Sequence, residues 1–189
     1  MKKTIVFTFI TLISSVFITA QAKECYNADT IDVGWTSYKT MSKIGVGGNF
    51  SKTTLDILHK NTPSVEDMML DARVTLNLKN IDAHLALKNS NIATYFTSNL
   101  SSHKIKAQIV SIDDKNVEVK ITLNNIAQVI PMSYTKKNSH LLAKGVIDAL
   151  DFQLVTALRT LNKNVSGHKN KGWNDISISF DIPYTTTCK

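Results

Sequence analysis

Arginine, cysteine, proline and glycine are all scarce in this 189-residue chain, and each shortage removes a class of protein. Two cysteines, Cys25 and Cys188, cannot build a disulfide-dense scaffold or a four-cysteine zinc site. Seven glycines and three prolines exclude fibrous and low-complexity chains, and an apolar share of 43% excludes a disordered one. Only Arg73 and Arg159 are arginine among 22 basic residues. Planar, bidentate readout of phosphate or guanine favours arginine, so the formal charge of +7 reads as lysine solvation and not as nucleic-acid recognition. No apolar run beyond residue 20 is long enough to span a bilayer as a helix. His59, His84, His103, His140 and His168 are scattered, with no His-x-His or His-Glu-x-x-His spacing. There is no nucleophile elbow and no Walker motif, and Gly45, Gly47 and Gly48 sit in a strand-like segment that no helix follows. The expectation is a protein without catalytic residues, metal or cofactor: not an enzyme.

What is present begins with a leader. Met1-Lys2-Lys3 precedes an apolar run from Ile5 to Ala20, and Ala20-Gln21-Ala22 has the small-x-small form of a signal-peptidase site. Residues 1–22 are expected to be cleaved, leaving 23–189 as one exported domain in the periplasm. No lipobox precedes Cys25. In an oxidising compartment Cys25 and Cys188, near the two ends of the mature chain, are expected to pair. That closes a loop of about 160 residues, worth about 5 kcal/mol in the chain-entropy model.

Period-2 alternation dominates the rest. Leu70, Ala72, Val74, Leu76 and Leu78 alternate with polar residues, as do Val117, Val119, Ile121 and Leu123. Further strands are expected over 31–40, 44–58, 105–112, 126–134, 141–147 and 176–182, with Asn124-Asn125 at a hairpin tip. Leu150, Leu154, Ala157, Leu158 and Leu161 recur at helical spacing behind Asp148 or Asp151 as N-cap, and 83–99 holds a shorter helical turn before Tyr95-Phe96. About eight antiparallel strands with one or two short helices describe a closed barrel or sandwich. An eight-stranded barrel has room for one small ligand or for a fully packed core, and the residues alone leave both open.

Four segments together resemble the YceI-like family. Val46-Gly47-Gly48-Asn49-Phe50, within 44-IGVGGNFSK-52, is similar to that family's second strand. The stretch 76-LNLKNIDAHLALKNSNIATYF-96 resembles its strand and helical excursion, with Lys88-Asn89 where Arg-Asp or Arg-Asn is usual. The stretch 121-ITLNNIAQVIPMSY-134 resembles its Leu-Thr-x-x-Gly hairpin, with Asn125 where Gly is common. Gly145, Ile147, Asp151 and Phe152 match its Gly-x-Ile-x-x-x-Asp-Phe signature. The resemblance implies an eight-stranded, lipocalin-like antiparallel barrel whose apolar interior holds an isoprenoid or other long-chain lipid, exported to the periplasm, with no cofactor. Segment 151–173, longer than in the shortest members, is expected to form a lid or extra helix at the mouth.

The wall candidates are Trp35, Phe50, Phe96, Met132 and Phe152, large apolar residues beside matched motifs, joined by Val74, Leu76 and Ile121 from the inward strand faces. The contrasting reading is a packed barrel that serves as a protein-interaction or stress-related module without lipid. An exposed edge strand would permit a homodimer.

Overall fold

The computed structural model describes residues 25–186. The expected leader and Cys188 lie outside the described residues. Ten strands form one sheet: β1 (Asp32–Lys39), β2 (Ile44–Phe50), β3 (Thr53–Asp56), β4 (Arg73–Asn77), β5 (Ile81–Asp82), β6 (Lys104–Ile112), β7 (Asn116–Leu123), β8 (Ile126–Lys137), β9 (His140–Asp148) and β10 (Gly172–Pro183). The order is β3-β4-β6-β7-β8-β9-β10-β1-β2-β5, and every pairing is antiparallel.

Ten strands replace the eight expected because two long strands are each broken. The single strand expected over 44–58 is interrupted at Ser51-Lys52, giving β2 and β3. Its antiparallel partner is interrupted by a 3₁₀ turn at Leu78–Asn80, giving β4 and β5. Asn49 and Phe50 pair with Asp82 and Ile81, the Ser51 amide donates to the Asn80 carbonyl at 2.9 Å, and Thr53 to Asp56 pair with Leu76 to Arg73. One ladder therefore runs through both breaks. The two ends of the sheet belong to the same pair of chain segments, so the sheet curls round on itself into a lipocalin-like barrel. Its terminal strands have four and two residues, so neither offers the long edge that a homodimer would extend.

Turn chemistry fixes the register. Asn124 and Asn125 adopt φ of 52° and 67° at the β7–β8 tip, the left-handed pair that a two-residue hairpin needs. Gly48 has a different task. A Cβ there would lie 2.0 Å from the Asp82 carbonyl oxygen, so only glycine lets β5 close against β2.

One end of the barrel is plugged. Helix α1 (Val65–Met69) lies in a segment for which the sequence pattern predicts no helix. Ser64 caps it, accepting from the Asp67 amide at 3.0 Å and donating to the Asp67 carboxylate at 2.7 Å. Val65, Met68 and Met69 are buried at 3%, 0% and 1% exposure. The Tyr134 hydroxyl donates to Glu66 Oε1 at 2.6 Å and abuts the Asp113 carbonyl, while Lys136 Nζ lies 2.5 Å from the same carboxylate oxygen. These contacts latch α1 to β8 and to the β6–β7 turn.

The other end is capped by helices. Helix α2 (Ala86–Asn91) continues into a π-helical turn at Ile92–Phe96, and helix α3 (Val155–Asn164) packs against that turn. The expected aspartate N-cap of α3 is corrected: its N-cap is Leu154, without a side-chain bond, and Asp148 Oδ1 instead accepts from the Leu150 amide at 2.8 Å. That turn carries Phe152, fully buried, into a split in the barrel wall. β8 and β9 pair only from Ser133↔Lys144 to Lys137↔His140. Because the Tyr134 amide donates toward β7, the N–H of residue 131 would face β9, and Pro131 has none. Beyond it the strands part. The 148–153 turn fills the gap, with the Phe152 carbonyl accepting from Asn124 Nδ2 at 3.2 Å.

Candidate functional site: an apolar cavity under the helical cap

The half of the barrel facing the cap is hollow. Inward residues of β1, β4, β6, β7, β9 and β10 line it, including Leu76, Ile105, Ala107, Ile121, Leu123, Ile147, Ile176 and Ile178. The roof comes from Ile92 and Phe96 of the π-helical turn and from Leu154, Leu158 and Leu161, spaced four and three apart on one face of α3. The cavity volume is about 130 Å³. An apolar cavity of this size accepts hydrocarbon. Ile105, Ile121, Leu123 and Ile147 are buried, whereas Trp35, Phe50, Ile176 and Ile178 are partly exposed. The mouth therefore opens along the β10–β1–β2 side, beneath the cap.

Among the described residues, no Lys, Arg, His, Asp or Glu lines this space. Its only polar side-chain groups are the Ser37 hydroxyl and the Trp35 indole, whose Nε1 is buried with no hydrogen-bond partner among the described residues. An unpaired buried donor costs about 1–3 kcal/mol, so Trp35 is a ready partner for one acceptor oxygen on an otherwise apolar guest. Charge begins at the rim. Burial, with Lys39 nearby, lowers the pKa of His168, whose Nδ1 lies 2.7 Å from Asn162 Oδ1 at the end of α3. No group of three His, Cys, Asp or Glu side chains among the described residues could hold a metal ion.

Of the eight wall candidates, Trp35, Phe50, Leu76, Phe96 and Ile121 line the cavity. Val74, Met132 and Phe152 do not, and each has a different place. Val74 lies one inward step from Leu76 toward the α1 end, in the packed half of the barrel. Met132 occupies the space that Gly145 leaves empty, since a Cβ on Gly145 would meet Met132 Cγ at 2.6 Å. Phe152 stops the split between β8 and β9. Size and apolarity identified these three as interior but could not say which half of the barrel they enter. The roof residues Leu154, Leu158 and Leu161 lie in the segment 151–173 expected to form a lid or extra helix at the mouth, but they were not among the wall candidates. Asn89, from the Lys88-Asn89 pair, ties α2 to β5: its Oδ1 accepts from the Ala83 amide at 2.7 Å and its Nδ2 donates to Asp82 at 3.1 Å. That bond and the His84 amide hold the Asp82 carboxyl below its usual range.

No protein-family model matches the chain, and no match is found among curated protein sequences. Solved structures do match in fold. A polyisoprenoid-binding domain from Saccharophagus degradans, implicated in plant cell wall breakdown, superposes with a TM-score of 0.60 at 13% identity, covering 88% of this chain and 100% of that one. BcnA of Burkholderia cenocepacia gives 0.57 at 16% identity over 85% of this chain and 100% of its own. A YceI protein of Campylobacter jejuni gives 0.52 at 12% identity over 97% and 100%. The chain has the YceI-type barrel fold.

Proposed function

We propose that this protein holds one long apolar chain, isoprenoid or acyl, in the cavity beneath the helical cap, as an exported periplasmic carrier or sequestering protein of the YceI-like family and not as an enzyme. The observation that carries the reading is a hollow half-barrel lined by aliphatic and aromatic side chains, with no ionisable group among them and a mouth on one side. Each methylene buried there contributes about 0.8 kcal/mol, so a long tail needs no polar recognition. Export follows from the leader over residues 1–22, and pairing of Cys25 with Cys188 follows from export. The Saccharophagus neighbour, described as polyisoprenoid-binding, supports the ligand class by analogy of fold.

The test is native mass spectrometry, with organic extraction, of protein purified from a bacterial periplasm. A stoichiometric isoprenoid or fatty-acyl species upholds the reading. A bare mass that also refuses added quinones and fatty acids overturns it in favour of a barrel that serves a protein partner. The same spectrum reads the new N-terminus and, without reductant, the cysteines: free thiols at both positions refute the pairing.

A further inference from the structure

The barrel is charged oppositely at its two ends. Among residues 25–186, the connections at the capped end (40–43, 78–103, 124–125 and 149–171) carry seven cations against two carboxylates, Asp82 and Asp151. The connections at the plugged end (25–31, 57–72, 113–115 and 138–139) carry two, Lys60 and Lys115, against six carboxylates. The surface apolar residues are weighted to the capped end but not confined to it, since Leu58 and Leu70 are 45% and 39% exposed in the plugged-end connection and Val110, Val129 and Val146 stand out from strands. Met41, Leu87, Leu85, Ile44 and Leu150 are 78%, 73%, 56%, 52% and 48% exposed, and topology places all five at the capped end, in or beside its connections. The connections that bear Met41, Leu85 and Leu87 adjoin one another through α3 and the segment that follows it. The Thr40 amide donates to the Lys171 carbonyl at 3.0 Å and Trp173 Nε1 to the Thr40 carbonyl at 2.8 Å, joining the β1–β2 turn to the segment after α3. α3 in turn packs on the helical turn that follows Leu85 and Leu87.

We infer that the face at the capped end docks on an anionic phospholipid surface, with the cavity mouth, beneath the cap on the β10–β1–β2 side, at the edge of the contact. Charge complementarity names the occupant. A lysine-rich rim is attracted to anionic headgroups, the acidic far end is repelled by them, and the pair orients the barrel axis before contact. Single apolar side chains standing out from a basic rim, Met41 and Leu87 foremost, suit the boundary between headgroups and acyl chains. Docking goes beyond the carrier reading, while movement of a lipid chain from the bilayer into the cavity rests on it.

The experiment is co-sedimentation of the exported chain with vesicles of phosphatidylcholine alone and with added phosphatidylglycerol, at low and physiological salt. Binding is expected only with phosphatidylglycerol and is expected to weaken with salt. At about 1 kcal/mol per lysine near the surface, Lys79→Gln with Lys163→Gln and Lys169→Gln lowers the partition constant about a hundredfold. Met41→Ser with Leu87→Ser weakens binding at both salts, and Lys60→Gln with Lys115→Gln, at the other end, leaves it unchanged. All these sites are exposed, and thermal melts confirm that each variant folds. Equal binding by the capped-end variants and the wild type overturns the inference. So does absence of sedimentation, and retention on immobilised polyglutamate in that case assigns the face to an acidic protein. Uptake of a labelled isoprenoid delivered without bilayers is read on the same preparations. Uptake without docking refutes this inference alone, and docking without uptake refutes the carrier reading alone.

Discussion

Replacing Ala107 by phenylalanine separates a ligand cavity from a packed core. Ala107 lies on the inward face of β6 between Val74 and Ile121, is 7% exposed, and is the smallest side chain on that part of the wall. At about 24 cal/mol per Å³, an empty cavity of about 130 Å³ costs the folded state about 3 kcal/mol. A ring at position 107 fills much of it, so Ala107→Phe is expected to stabilise the empty protein by about 1–2 kcal/mol. For a domain of this size that raises Tm by about 3–6 °C. The same ring takes the place of about four methylenes of a guest, about 3 kcal/mol, and so weakens isoprenoid binding by about a hundredfold. Stability and binding move in opposite directions. In a core already packed, the insertion strains its neighbours and lowers stability by about 1–3 kcal/mol. The assay is a thermal melt of delipidated protein beside a titration with a fluorescent isoprenoid. A fall in Tm together with unchanged uptake refutes the reasoning.

Three further outcomes follow from particular contacts. Trp35→Phe removes a buried donor without a partner, so the empty protein is expected to gain about 1 kcal/mol in a urea melt while an oxygen-bearing isoprenoid loses more affinity than a plain hydrocarbon; equal losses would rule the indole out as a polar handle. Burial of Glu66 opposes its charge, but the hydrogen bonds from Lys136 and Tyr134 outweigh it, so its pKa in the folded state lies below the unfolded value. The resulting stability is present above the ordinary glutamate range and is lost as pH falls through the folded value. Urea midpoints between neutral and acid pH should therefore drop less steeply in Glu66→Gln, and parallel curves would show that the α1 latch does not depend on this charge. Gly48→Ala places a methyl group against the Asp82 carbonyl and is expected to cost about 3 kcal/mol or more, with amide exchange of β2 and β5 rising first; a variant as stable as wild type would disprove the close approach.

Alternation alone determined most of the sheet. The inward sets Val117-Val119-Ile121-Leu123 and Leu141-Ala143-Gly145-Ile147 are legible because a strand's side-chain period is a local property. The Asn124-Asn125 tip is legible for the same reason, since the left-handed backbone belongs to the residues themselves. α1 was not, because Ser64, Glu66 and Asp67 serve equally in a turn, and the choice is made by Tyr134 and Lys136, some seventy residues away. The split at Pro131 and the fully buried Phe152 that fills it likewise appear only once β8 and β9 stand side by side. The cavity is decided at the same level. Leu76 and Val74 are both inward apolar residues of one strand, and what separates wall from packed interior is which end of the barrel receives Met68 and Met69 and which receives the α3 face. Apolar burial is non-directional, so a sequence can state that a side chain goes inside. Whether it meets another side chain there or an open space depends on elements far away in the chain.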